Sequence, residues 1–205
     1  MAKRGSAKRF AFINVPYAKR YEKIYLAFIA GAAAHGLVPT AAVHDPSSRF
    51  QLDRICEMIT SAAYSFHDLS WMSLDNKVPR TPRLNMTFEL GLAVAFSRST
   101  RPHHRWIVFD TVPYRLQKAL SDLGGIRARI YDGTPVGLLR ELMNGLQREK
   151  HRPTLSNLVT VYRAVETVAR RIKRTYSHEL FETRPFDELR FVALQKAKQT
   201  VASLA

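Results

Sequence analysis

The chain has 205 residues, of which 46% are hydrophobic and 24% charged, which suits one domain of ordinary size with a real core. Its single cysteine excludes an internal disulfide and a cysteine-rich zinc site. No apolar run approaches the roughly 18–20 residues of a membrane span, and the basic N-terminus lacks the apolar segment of a secretory signal. We therefore expect a cytoplasmic protein that makes no membrane contact.

The net charge of +15 predicts attraction to polyanions such as nucleic acid, an acidic partner or anionic lipid. The basic residues are spread along the chain, and no zinc finger, RNA-binding aromatic signature or clear helix-turn-helix accompanies them. Non-specific contact with a nucleic acid or nucleoprotein therefore fits better than sequence readout. A solvated basic surface without a partner is an equally good interpretation.

Strand and helix patterns alternate from residue 9 onward. The first strand, 9–15, ends at Pro16, and apolar residues at helical spacing follow from about 17 to 34. The alternation predicts an α/β fold: an open, doubly wound parallel sheet of about five strands, Rossmann- or flavodoxin-like. Further strands are predicted at 37–43, 64–70, 105–110 and 128–132, with helices through 52–62, 85–97 and 114–123 and from about 134.

After residue 150 the pattern changes to helices only, at about 155–176 and 185–203. The first of these carries an apolar stripe at helical spacing, which indicates either core packing or contact with a second copy. Together these patterns divide the chain into a basic N-terminal tail (1–8), an α/β domain (9–150) and a helical C-terminal extension (151–205). The stripe consists of Leu158, Val161, Val165, Val168 and Ile172.

Polar and aromatic residues gather where the predicted strands end, and doubly wound sheets bind ligands at that edge. The helix at 85–97 begins at the same edge with Asn85, a good N-cap by residue type. Glu89 follows one turn later on the same face, so we expect Asp68 and Glu89 to converge on one cleft. The other candidate ligand contacts at the strand ends are Asn14, Pro16, Tyr17, Ser70 and Asp110.

Glu89 is the one acid in the apolar run LNMTFELGLAVAF (84–96). The residues three and four positions away are asparagine, methionine, leucine and alanine, so no cation pairs with it along the helix. Glu89 is therefore either an active carboxylate facing a cavity, with a pKa raised by burial, or an acid placed to suit the helix dipole. Gly91, two residues on, is expected to permit close packing of the helix on the sheet.

No P-loop, GxGxxG, HExxH or CxxC motif is present, so the sequence predicts neither a cofactor nor a metal site. Two carboxylates without these motifs fit chemistry at a glycosidic centre. One carboxylate attacks or stabilises an oxocarbenium-like carbon, while another group binds sugar hydroxyls or handles a proton. Arg80 and Arg83, in the loop before the helix at 85–97, either clamp the phosphates of a nucleotide or form a solvated basic loop.

Three motifs in order, FINVPY (12–17), DLS (68–70) and NMTFELGLAVA (85–95), resemble the nucleoside 2-deoxyribosyltransferase-like superfamily and the related bacterial TIR-like proteins. The resemblance spans about residues 9–132 and implies a nucleotide-binding α/β domain. It implies that Glu89 is catalytic at the anomeric carbon of a ribose or deoxyribose. Asp68, the second catalytic candidate, and Asn85 would bind sugar hydroxyls or base, and Tyr17 would line the pocket.

Members of these families exchange bases between deoxynucleosides or hydrolyse NAD, the latter often as effectors in bacterial antiphage defence. The resemblance, with the two arginines, implies an NAD hydrolase that uses NAD or another nucleotide as substrate and needs no cofactor. A nucleoside 2-deoxyribosyltransferase or other nucleoside N-glycosidase is the first alternative. A non-catalytic nucleotide- or nucleic-acid-binding protein is the second. The resemblance and the apolar stripe also imply a homo-oligomer.

Overall fold

A computed structural model describes residues 9–43, 50–72, 78–99, 104–123, 125–147, 149, 152–176 and 179–202. Strands and helices alternate in the predicted order. The elements are β1 (Phe10–Asn14), α1 (Glu22–Ala34), β2 (Val38–Ala41), α2 (Gln51–Ser61), β3 (Tyr64–Asp68), α3 (Asn85–Ser99), β4 (Arg105–Asp110), α4 (Arg115–Ala119), β5 (Arg129–Ile130), α5 (Pro135–Gly145), α6 (Leu155–Tyr176) and α7 (Thr183–Ala202).

The strands form one sheet in the order β2-β1-β3-β4-β5, and every neighbouring pair is parallel. β1 and β3 are adjacent, and the chain builds outward from them in opposite directions, so the carboxyl ends of these two strands mark the topological switch point. The predicted doubly wound α/β fold is confirmed. Within the described ranges, no helix combines the length and the apolar character that a bilayer crossing requires.

Side chains of β1 alternate between two cores, as a strand covered on both faces requires. Ile13 belongs to the larger core with α1, α5, α6 and α7, whereas Phe12 packs with Ile55 and Ile59 of α2 and Ala93 of α3. Burying each such large apolar side chain contributes about 1.5–3 kcal/mol. Helices on both faces therefore leave the strand ends as the accessible part of the sheet.

The C-terminal extension packs on α1. Four stripe residues, Leu158, Val161, Val165 and Ile172, are buried in the same core as α1, and Val168 packs against that core from a half-buried position. Residues 24–34 of α1 are all buried, because the sheet covers one side of the helix and the extension the other. This packing assigns the stripe to the core and settles the choice between core and second-copy contact for these residues.

Several elements differ from their predicted bounds because local backbone geometry ends them. The helix predicted at 114–123 stops at Ala119 and continues as a 3-10 turn at Ser121–Leu123. The helix expected from residue 17 begins only at Glu22, after a 3-10 turn at Lys19–Tyr21. β5 is shorter than predicted, and the chain soon turns at Gly133, whose φ of 78° suits glycine.

The close helix packing expected at Gly91 is found at a different glycine. Gly91 lies on the exposed side of α3, and a Cβ there would meet nothing within 4 Å, so the predicted close packing on the sheet is wrong. Gly31 of α1 is the glycine that permits close approach. A Cβ at that position would lie 2.6 Å from Leu142 Cδ1 of α5. The close helix contact is thus between α1 and α5, away from α3.

Candidate functional site

Glu89 is a buried carboxylate near the switch point. It lies one turn into α3 and is 8% exposed, and burial raises its pKa to about 7. No hydrogen bond or ion pair joins it to any residue that the structure describes. A carboxylate with this pKa is about half protonated near neutral pH, and no described residue compensates the charge of its ionised form.

The helix dipole does not explain Glu89. The dipole acts within the first turn of a helix, and the first turn of α3 contains no acidic residue. Glu89 is the fifth residue of the helix, counted from Asn85, and therefore lies beyond the first turn. The structure therefore gives the helix-dipole interpretation no support, and the interpretation that Glu89 faces a cavity stays a prediction.

Asn85 does not cap α3 as predicted. Phe88 donates its backbone N–H to Leu84 O at 2.9 Å, so Leu84 occupies the N-cap position and Asn85 is the first residue inside the helix. Asn85 is exposed, and its side chain makes no hydrogen bond to the described residues. The boundary prediction was therefore wrong by one residue, and the Asn85 amide is available to a ligand.

A buried polar chain anchors the start of α3 to the sheet. Asn14 Nδ2 donates to Met86 O at 3.0 Å and lies 2.9 Å from Nδ1 of His67. Because the amide donates to Nδ1, the His67 proton resides on Nε2, which donates to Ser65 Oγ at 2.8 Å. Asn14 was predicted to contact ligand, but its amide is directed into this network and positions the turn that carries Glu89.

Tyr17 borders Glu89, as predicted for a residue after β1. Burial raises the pKa of the Tyr17 hydroxyl, and the Glu89 carboxylate raises it further. The ring stacks on Phe181 with centroids 5.2 Å apart, so the segment before α7 reaches this edge of the sheet. Pro16 is buried and directs the chain from β1 toward Tyr17.

Asp68 ends β3 and is fully buried. Its Oδ1 accepts the Ser70 N–H at 2.8 Å, and its Oδ2 accepts the Tyr131 hydroxyl at 2.7 Å. Burial raises the pKa of Asp68 to about 6, against the lowering effect of these hydrogen bonds. No hydrogen bond or ion pair joins Asp68 to Glu89, although both lie near the same edge.

Asp110 ends β4 and is engaged by the protein itself. Its carboxylate accepts the backbone N–H groups of Thr111 and Val112 at 2.6 and 3.1 Å, together with the guanidinium of Arg115. Arg115 also donates to Leu69 O at 3.0 Å, which ties the ends of β3 and β4 together. The observed role of Asp110 is thus to hold the loop after β4, and its predicted contact with substrate stays a prediction.

A pocket of about 340 Å³ opens beside Asp68, between the ends of β3, β4 and β5 and the start of α1. Tyr21 and Trp71 form parallel stacked rings in its wall, with centroids 5.5 Å apart. Of the residues that line this pocket, Ser70 was predicted from the sequence, whereas Arg20 and the aromatic residues were not. Tyr131 lies near the end of the strand predicted at 128–132 and directly follows the observed β5, so the strand-end rule that selected Asp68 could also have selected it. The pocket is lined in part by Arg20, Tyr21, Ser70, Trp71, Thr111 and Tyr131.

The predicted arginines separate into two environments. Arg83 places its guanidinium carbon 4.5 Å from the centroid of the ring of Trp71, which lines this pocket, although Arg83 itself does not line it. Arg80 is exposed in the same loop and does not line the pocket. Within the described part of the chain, no three histidine, cysteine, aspartate or glutamate side chains are placed to hold a metal ion.

A comparison with solved structures gives one match to the backbone of this chain. It is a 2-desoxiribosyltransferase from Leishmania mexicana, with 17% sequence identity and a TM-score of 0.40 over 62% of this chain and 76% of that chain. This degree of similarity is too low to say anything about the reaction that this chain performs. No protein-family model and no curated protein matches the sequence.

Proposed function

We propose that this protein is an N-glycosidase that cleaves the bond between sugar and base in a nucleotide, with Glu89 as the carboxylate that meets the anomeric carbon. The observation that supports the proposal is the state of Glu89. It is buried and near the switch point, its pKa is raised to about 7, and no described residue is bonded to it. Such a group is costly to keep in a fold unless it acts on something.

In the proposed reaction the ionised Glu89 carboxylate approaches C1′ of the sugar. The C1′–N bond breaks and its electron pair leaves with the base, while the carboxylate stabilises or captures the positive carbon. Water then adds to C1′ and loses a proton, and where the carboxylate has captured C1′ that C–O bond breaks and its electron pair returns to Glu89, which completes hydrolysis; a second base adding in place of water would complete an exchange. Low polarity strengthens the attraction between the carboxylate and the developing positive charge.

NAD is the substrate class that we propose first. Nicotinamide bonded to ribose carries a positive charge, so it leaves as a neutral base and needs no proton donor. Tyr17 is the titratable neighbour of Glu89, and because burial raises its pKa, it is a weak acid. A leaving group that requires no protonation therefore suits this surrounding better than a neutral nucleoside does.

The test is to incubate purified protein with NAD, and separately with a mixture of deoxynucleosides and free bases, and to separate the products by chromatography. We expect free nicotinamide from NAD. New deoxynucleosides in the second mixture would identify a deoxyribosyltransferase instead. Glu89→Gln should abolish product formation, whereas Glu57→Gln, which changes an exposed acid on α2, should not. Full activity of Glu89→Gln would refute the assignment.

Binding without turnover is a second candidate, favoured by the net charge of +15. A protein of this kind would bind DNA or RNA with an affinity that falls steeply as salt rises. It would form no product from NAD or from deoxynucleosides. The two candidates are compatible if the basic surface contacts nucleic acid while the strand ends perform the chemistry.

A further inference from the structure

The ring of Trp71 contacts two arginine side chains from different parts of the chain. The guanidinium carbon of Arg20, just before α1, lies 3.2 Å from the centroid of the Trp71 ring. That of Arg83, just before α3, lies 4.5 Å from it. The Tyr21 ring stacks on Trp71 within 4° of parallel. Cation–π contacts of this type hold a guanidinium in place by its flat surface, which leaves its N–H edges free for a ligand.

Among the residues that the structure describes, no acid neutralises either arginine. Arg20 and Arg83 make no ion pair with any described residue, whereas Arg115 is paired with Asp110 and Arg171 with Glu188. Two guanidinium groups on one aromatic ring, neither paired with an acid in the described part of the chain, concentrate positive charge at a single place. Phosphate oxygens match the fixed N–H geometry of a guanidinium, and such charge-assisted hydrogen bonds are stronger than neutral ones.

The pocket beside Trp71 has a polar floor. Tyr21 and Ser70 share a hydrogen bond, Ser70 Oγ lies 3.3 Å from the Tyr131 hydroxyl, and that hydroxyl donates to Asp68. The buried carboxylate fixes the direction of the chain, because an ionised carboxylate only accepts. Oxygen atoms of the tyrosines and the serine are then left to face a ligand that carries hydroxyl groups.

We propose that this pocket binds the phosphate-bearing part of a nucleotide, with Arg20 and Arg83 on the phosphate and the hydroxyl chain on the sugar. Its volume of about 340 Å³ lies at the lower end of the range for small-molecule sites. The inference rests on the proposed function for the choice of a nucleotide as ligand. It makes the substrate a nucleotide or dinucleotide rather than a free nucleoside.

The experiment measures binding in the Glu89→Gln background, so that turnover plays no part. Calorimetric titration compares ADP with adenosine, which share base and sugar and differ in phosphate. We expect ADP to bind at least tenfold more tightly. Arg20→Ala and Arg83→Ala should each weaken ADP binding by about tenfold to a hundredfold without changing adenosine binding. Arg98→Ala, which removes an exposed charge at the far end of α3, should leave ADP binding unchanged.

Failure of ADP to bind, equal affinity for ADP and adenosine, or unchanged ADP affinity in the Arg20→Ala/Arg83→Ala double variant would each overturn the inference. Far-UV circular dichroism and the unfolding midpoint confirm that each variant is folded. The outcome is separable from that of the proposed function. Selective ADP binding without base release by the wild type would retain the pocket and remove the glycosidase. Base release by the wild type, together with an ADP affinity that the arginine variants do not change, would retain the glycosidase and remove the phosphate pocket.

Discussion

Asp110 and Glu89 are both buried carboxylates near the carboxyl edge of the sheet, yet their surroundings are opposite. Asp110 accepts two backbone N–H groups and a guanidinium, which ties the loop after β4 to the end of β3. Glu89 is bonded to no described residue, and burial alone raises its pKa. The first acid stabilises the fold, and the second is kept at a cost to it. Burial alone therefore does not distinguish the two acids; the lack of a partner among the described residues does, and on it the proposed role of Glu89 rests.

Replacing Asp110 tests whether the acid with bonded partners stabilises the fold. Asp110→Asn leaves the Arg115 guanidinium without its counter-charge in a partly buried position, so we expect a loss of about 3–5 kcal/mol in the free energy of unfolding. Urea unfolding measures it. Asp122→Asn, at an exposed acid in the 3-10 turn after α4, is the matched control and should change stability by less than about 0.5 kcal/mol. If Asp110→Asn changes the free energy of unfolding as little as the control does, Asp110 does not stabilise the fold and the proposed difference from Glu89 is wrong.

Replacing Glu89 should increase the free energy of unfolding above neutral pH, whereas replacing Asp110 should decrease it. The folded state binds the Glu89 proton more tightly than the unfolded state, because the pKa rises from 4.5 to about 7 on folding. Stability is therefore highest below pH 4.5 and is lost as the pH rises through 7, by about 3 kcal/mol in total. Glu89→Gln should remove this loss, making the variant more stable than the wild type at pH 8 and similar to it at pH 4. A less stable variant at pH 8 would show that Glu89 has a partner.

His67 makes the free energy of unfolding depend on pH below neutrality. Burial lowers its pKa from 6.5 to about 3, so the unfolded chain takes up a proton that the folded protein excludes. Above pH 6.5 His67 is neutral in both states and does not lower the free energy of unfolding. Between pH 6.5 and 5 its protonation in the unfolded chain lowers that free energy by about 2 kcal/mol. In His67→Gln, whose amide can bond to both Asn14 and Ser65, the unfolding free energy should fall less over this interval. Equal slopes for both proteins would place the His67 proton elsewhere.

The smallest expected effect concerns the outer side of α3. Gly91→Ala should stabilise the protein by about 1 kcal/mol, because alanine favours a helix and its methyl group meets nothing within 4 Å. Gly31→Ala should show no such gain, since its Cβ would lie 2.6 Å from Leu142 Cδ1. Thermal unfolding of both variants measures the difference. A destabilised Gly91→Ala would indicate that a partner covers this side of the Glu89 helix.

Hydrophobic periodicity was sufficient to predict the fold. The alternation of strands and helices placed all five strands and both helices of the extension, because each face of a covered sheet and each stripe of a helix must be apolar. Bounds were less well predicted where single torsions decide them, as at Tyr114, whose φ of 62° precedes a short α4. Gly91 was misassigned because sequence spacing does not tell which side of a helix is left open.

The candidate site was predicted in part. Glu89, Asp68 and Tyr17 follow from strand-end position and from an acid inside an apolar run, which are local signals. Arg20 and Trp71 carried no such signal, since their meeting depends on how the loop after β3 folds against the start of α1. Side-chain direction was likewise hidden from the sequence. Asn14 ends its strand at the expected edge, yet its amide turns inward to His67 and Met86.

The central claim, that an uncompensated Glu89 breaks a glycosidic bond in a nucleotide, is tested most directly by profiling the nucleotides of cells that express the protein. Mass spectrometry would compare wild type with Glu89→Gln at equal expression. We expect one nucleotide, NAD first among them, to be depleted and its free base to accumulate with the wild type only. The same depletion and the same free base in cells expressing Glu89→Gln would contradict the account.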